Sequence, residues 1–414
     1  MIDLFSQEVR DNPYPAYKKI REAGAAVFDE KSGIWFIGRH HDVANALRNV
    51  EAFSSRGIAG FESTLVGQDG VLHSRVRKMI QAAFSPAYIN SLRSAIETEA
   101  DRTMKLFANS ERLEFVSEIA GAVPTAVLSW MLGGVEDKVP EFKRWAGAIF
   151  STHTRLREER EMSAGKRLLK KIVRFISATA AERSILADMA ECEAFLRKHF
   201  KEAANGDTGG WIAELLCENQ EAKLISTEEM IDLGLVFVVA ATETTISFIS
   251  TAVSILAMDV KLQNQLRSNQ DLIDPFLEEV LRYDAPVQRR PRRVTKDVPV
   301  GDIVLPAGAP VVLLIGSANR DPERFPEPDE FRIDRAPNPY LSFGAGPHFC
   351  PGFQLGKLEA RALILSMLNI LPPFKLARPD EKIEQHPNLL LRGPRELNLT
   401  LKPPGGSADS QKTC

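Results

Sequence analysis

The chain has 414 residues, with 52 basic against 55 acidic side chains, 44% apolar residues and a formal net charge of -3. These proportions belong to a globular protein with a large core, and they exclude both an acidic disordered tail and the basic field that nucleic-acid binding needs. No nucleic-acid partner is expected. The opening residues lack the basic-then-apolar pattern of an export signal. Four cysteines, at 192, 217, 350 and 414, form no CxxC pair, so neither a disulfide framework nor a structural zinc site is expected and a reducing cytoplasm suits the chain.

In chain order, a short helix is predicted after Pro15, strands near Ala26 to Phe28 and Ile34 to Ile37, and a helix from His41. Helical periodicity dominates from about residue 73 to 275, and proline and glycine return after 285. The fold class predicted is mainly α with a smaller β-rich lobe (α+β). One continuous domain is expected over 1–403, with a small polar tail at 404–414.

Ser226 and Glu229 are spaced as a capping box, and the helix they open runs to about Asp259, a length of about 50 Å. Its stretch 233–258 is the most apolar in the chain, yet it contains Glu243 and several Thr and Ser residues, so it is read as a buried core helix and no membrane contact is expected. The polar run Ala240-Ala241-Thr242-Glu243-Thr244-Thr245 in an oily helix needs an explanation.

Phe343-Gly344-Ala345-Gly346-Pro347-His348-Phe349-Cys350-Pro351-Gly352 precedes a helical pattern from Phe353 to Leu371. A cysteine at a helix N-terminus meets backbone N–H groups and the positive dipole end, which favour a thiolate, the form a soft metal requires. Gly346 and Gly352 would let the chain approach a flat cofactor closely. A buried structural cysteine is the plainer alternative. A dinucleotide loop is disfavoured, because Phe349 holds the place of its third glycine.

This stretch resembles the cytochrome P450 haem-ligand motif, matched by Phe343, Gly344, Gly346, His348, Cys350 and Gly352. The resemblance is to a soluble bacterial member and covers nearly the whole chain, from Asn12-Pro13 to Arg392-Gly393. It implies haem b (iron protoporphyrin IX) with Cys350 as the axial thiolate, O2 as co-substrate and a long central helix crossing the haem. Glu279, Arg282 and Arg335 match the family's structural carboxylate–arginine triad. His73, Arg77, Arg292 and His348 match its propionate partners, with Arg293 as the neighbouring alternative to Arg292. Glu243 and Thr244 match the acid and hydroxyl that deliver protons to bound oxygen, with Ala241 where glycine is common. Thr244 can also bond the carbonyl of Ala240 four residues earlier, which bends helices.

The implied activity is insertion of one oxygen atom into a small organic substrate, by hydroxylation or epoxidation. Oxidative coupling or desaturation is the alternative on the same haem, and a non-catalytic haem sensor or carrier the alternative of another class. Absence of flavin and nicotinamide motifs points to a separate ferredoxin and reductase, docking on Arg75, Lys78, Lys357 and Arg361 or leaving these as ordinary surface charge. A monomer in secondary metabolism is expected. By family analogy Val239, Ala240 and Leu389-Leu390-Leu391 line the pocket. Four arginines crowd Arg289-Arg290-Pro291-Arg292-Arg293, and Arg289 or Arg290 is expected to meet an anionic substrate, unless both face solvent or hold propionates. Two stretches depart from the family: Asp69 to His73, and a lengthened charged segment from about 150 to 210.

Overall fold

The computed structural model describes residues 3–56, 65–155, 180–206, 210–211, 215, 219, 225–387 and 389–401. The expected tail and the middle of the charged segment lie outside the described residues. The main helices are α1 (Tyr14–Ala23), α2 (His40–Arg48), α3 (Gly70–Ile80), α4 (Pro86–Leu106), α5 (Ala122–Leu132), α6 (Val139–Arg155), α7 (Ala180–Ala204), α8 (Thr227–Met258), α9 (Val260–Ser268), α10 (Ile273–Tyr283) and α11 (Phe353–Ile370). The strands are β1 (Val27–Asp29), β2 (Ile34–Ile37), β3 (Phe53–Ser54), β4 (Arg112–Glu114), β5 (Arg289–Val294), β6 (Val298–Val300), β7 (Ile303–Leu305), β8 (Pro310–Leu314), β9 (Phe374–Leu376) and β10 (Asn398–Leu401). The predicted helix-rich body with a smaller sheet lobe is therefore the architecture found.

Helix α8 organises the body. It starts where the capping box predicts: Ser226 Oγ accepts from the Glu229 N–H at 3.2 Å, and the Glu229 carboxylate accepts from the Ser226 N–H at 2.7 Å. Among the described residues it is the one helix long and apolar enough to cross a membrane, but two-thirds of its apolar window is buried inside the protein. Its apolar side chains, from Met230 to Ala257, join one core with those of α3 to α7, α10 and α11. Burying such aliphatic side chains yields about 1.5–3 kcal/mol each, which outweighs the cost of the few hydroxyls that bond back to the helix.

The lobe is a five-stranded sheet in the order β1-β2-β8-β5-β3. β5 pairs antiparallel with β8, placing Arg290 opposite Leu313 and Arg292 opposite Val311, while Arg289 faces Leu314. Opposed residues share a face, so the two sides of this sheet can be told apart by their cores. Leu313 and Val311 pack with Leu47, Leu341 and Ala345, towards the cysteine loop. Leu314 packs on the other face with Leu4, Tyr17 and Ile20.

Candidate functional site

The cysteine loop is held by its own backbone. The Cys350 N–H donates to the Phe343 carbonyl at 2.8 Å, and Phe349 to Gly346 at 3.0 Å. Phe343 packs edge-on against Phe353, with ring centroids 6.0 Å apart, which ties the loop to the first turn of α11. Gly344 and Gly346 adopt φ of 77° and 69°, the left-handed region that favours glycine. The expectation that Gly346 serves close approach to a cofactor is corrected: a Cβ there would lie 2.8 Å from Arg48 Cα and 3.0 Å from the Leu47 carbonyl, so the residue is small because α2 abuts it.

Burial raises the Cys350 thiol pKa, and the Gly352 N–H, Arg290 and Arg77 pull it down less strongly. Helix position and the two guanidinia offset burial only in part, and a cation bound to the sulfur would favour the thiolate further. Among the described residues no group of three or more His, Cys, Asp or Glu side chains could hold a bare metal ion. A lone sulfur suits an iron whose other ligands come from a macrocycle.

The polar rim fits such a group as well. Arg292 is 6% exposed, and its Nε is buried with no hydrogen-bond partner among the described residues. His73 is buried and its ring lies 4.2 Å from that of His348. Burial, His348 and Arg77 together lower its pKa to about 4. His348 Nε2 meets Asp69 Oδ1 at 2.9 Å and Ser55 Oγ at 3.2 Å, leaving Nδ1 to face elsewhere. Nothing in local spacing pairs Asp69 with a histidine 279 residues away, and the sequence reading missed this contact.

On α8, Thr244 Oγ1 donates to the Ala240 carbonyl at 2.8 Å, and Thr242 Oγ1 to the Val238 carbonyl at 2.7 Å. Ala240 is exposed within the helix. Val239, expected beside it in the pocket wall, instead belongs to the apolar core, since one residue turns a helix side chain by about 100°. Burial raises the Glu243 pKa, opposed by Lys143 on α6, whose ammonium donates to the Ser117 carbonyl at 2.7 Å. No signal in the sequence marks Lys143.

Leu390 and Leu391 run beside the segment entering β5: Gln288 N–H donates to the Leu390 carbonyl at 2.8 Å, and Val287 bridges Leu391. Arg289 is corrected as a pocket residue. It turns to the opposite face, where it donates to Tyr17 Oη at 3.2 Å and the Leu4 carbonyl at 2.9 Å. Of the expected docking cations, Lys357 pairs with Glu278 and Arg361 with Asp274.

Arg282 and Arg335 meet around the Glu279 carboxylate. Arg282 grips both oxygens of Glu279, at 2.8 and 2.6 Å, and Arg335 Nε lies 3.3 Å from Oε1. The Arg332 N–H and Asn338 Nδ2, not anticipated from sequence, also donate to this carboxylate at 2.9 and 3.2 Å.

Residues 10–401 match the family described as Cytochrome P450. The chain belongs to the cytochrome P450 family. It is 29% identical over 406 residues to Cytochrome P450 109 of Bacillus spizizenii, covering 97% of this chain and 95% of that one. Among solved structures it is similar to CalO2, with 26% identity, a TM-score of 0.86 and coverage of 97% and 99% of the two chains. It is also similar to CYP109E1 from Bacillus megaterium, crystallised with testosterone, with 25% identity, a TM-score of 0.83 and coverage of 96% and 100%. As a cytochrome P450 the protein is a monooxygenase that uses O2 and a haem bound through a cysteine thiolate, and it requires a small-molecule substrate and a redox partner.

Proposed function

We propose that this cytochrome P450 inserts one oxygen atom of O2 into a small organic substrate, by hydroxylation or epoxidation, as a cytoplasmic monomer supplied with electrons by a separate ferredoxin. Cys350 ligates haem b, and Arg77, Arg292, His73 and His348 hold its propionates. When bound, the haem supplies oxygen activation, to which the thiolate contributes electron density favouring O–O cleavage. Thr244 holds a hydroxyl at the mid-helix position beside exposed Ala240. Glu243 keeps its proton to higher pH than an ordinary carboxyl because it is partly buried, which suits an acid that relays protons inward from the surface.

The pairing of Thr244 with Ala240, next to a carboxyl of raised pKa, carries this reading. A sensor or carrier needs no such acid and hydroxyl. The test is the absorption spectrum of the dithionite-reduced protein under carbon monoxide. A strongly red-shifted Soret band that vanishes in Cys350→Ser is expected; the band of histidine-ligated haem in the unmutated protein would overturn the assignment.

A further inference from the structure

Arg290 stands apart from the other arginines of its strand. Arg289 is satisfied on the far face by Tyr17 and the Leu4 carbonyl, Arg292 donates to the Pro291 carbonyl, and Arg293 donates to the Gly308 carbonyl. Arg290 has no hydrogen bond or ion pair among the described residues. Strand alternation and the pairing with Leu313 place it on the face of β5 that looks toward the cysteine loop, with Arg292 about 6.6 Å further along. It is exposed, yet surrounding protein atoms depress its pKa, and Cys350 pulls the other way. Its strand face and the pull of Cys350 both put the side chain on the cysteine-loop side of the sheet.

Charge arithmetic then separates Arg290 from the propionate set. Two propionates carry two negative charges, and two guanidinia, Arg77 and Arg292, already answer them, with His73 and His348 as additional donors. Arg290 is a third guanidinium on the same side, close enough to Arg292 to contribute to lowering that residue's pKa. A guanidinium on the cysteine-loop side of the sheet with no acceptor among the described residues is free to pair with a bound anion. One guanidinium matches one negative charge in a planar, two-oxygen group, which fits a carboxylate better than a phosphate monoester of nearly two charges.

We propose that Arg290 is the specificity-determining anchor for a carboxylate on the substrate, so that the pocket selects organic acids whose apolar body extends along Ala240 and Leu390. This rests on the reading of the site as a haem-thiolate centre. A carboxylate held there fixes which carbon of the body is presented for oxidation, so the anchor sets position as well as affinity.

The haem-loaded protein is titrated with ω-(1-imidazolyl)alkanoates of graded chain length and with the matching neutral 1-alkylimidazoles, following the Soret shift as the imidazole nitrogen meets the iron. At one or more lengths the acid binds about tenfold or more tighter than its neutral partner, as a desolvated guanidinium–carboxylate pair provides. The preference disappears in Arg290→Gln, is partly kept in Arg290→Lys and is unchanged in Arg289→Gln. Haem content is unchanged in all three. Equal affinities at every length, a preference that survives Arg290→Gln, or haem loss in both Arg290 variants each overturn the proposal, the last by assigning the residue to a propionate. A protein whose Soret band responds to neither series overturns the haem-thiolate reading itself, a different failure from a normal response without acid preference.

Discussion

Asp69 shows how one carboxylate can organise the rim of the site. Burial raises its pKa, but hydrogen bonds from His348, Ser54 Oγ and the Ser55 N–H outweigh burial and bring it down to about 2. Its carboxylate makes no helix-capping bond at the start of α3; those interactions go to the end of β3, to Ser55 and to His348 instead. A depressed carboxyl pKa stabilises the fold above the unfolded value of 3.8, and that stabilisation is lost as pH falls towards 2. The shift corresponds to about 2 kcal/mol. Asp69→Asn is therefore expected to cost about 2 kcal/mol at neutral pH, with the difference from the unmutated protein shrinking as pH drops below about 4. Urea unfolding of both proteins at a series of pH values measures this; a difference that persists undiminished at acid pH would locate the effect in packing rather than charge.

At the scale of the element, α8 shows which features a sequence displays. Its start was legible because a capping box is local, needing only Ser226 and Glu229 three residues apart, and its polar centre was legible because Glu243 and Thr244 contradict the surrounding apolar run. The phase of neighbouring residues was not. Val239 and Ala240 are adjacent, yet one enters the core and the other is exposed, and β5 likewise sends Arg289 and Arg290 to opposite faces. Period-two alternation predicts that they differ, while only the core on each side of the sheet tells which one looks inward. The backbone bond of Thr244 makes its hydroxyl specific in position, which leads to a prediction on α8. Thr244→Ala should retain haem and substrate binding but lower product formation about 100-fold, the scale of a lost positioned proton donor. Electrons would then appear as hydrogen peroxide, and Thr244→Ser should restore product. Oxygen consumption, peroxide and product measured together decide it; unaltered coupling in the alanine variant would remove Thr244 from the relay.

For the whole molecule, Glu279 joins the helical body to the segment that leads into the cysteine loop. Glu279 and Arg282 are both 0% exposed, so their charges are stable only because each is surrounded by partners. Arg282 also donates to the carbonyls of Asn319, Pro328 and Glu330, at 3.0, 2.7 and 2.9 Å. Arg335 donates to Pro326 and Glu327, at 2.7 and 3.2 Å. One carboxylate on α10 thus fixes two arginines that hold residues 319–335, the chain directly before Phe343 and Cys350. Removing one member of such a buried network strands the others, at a cost of about 3–5 kcal/mol. Glu279→Gln keeps the size of the side chain but leaves Arg282 without a counter-charge, and it should yield protein that fails to retain haem or unfolds at much lower urea concentration. Arg335→Lys should be milder, since its contact with Glu279 is the longest of the arginine bonds and the bidentate Arg282 pair survives. Haem content and urea midpoints of the two variants test the ordering; an equal or larger loss in Arg335→Lys would shift the weight of the network from the α10 pair to the segment that Arg335 holds.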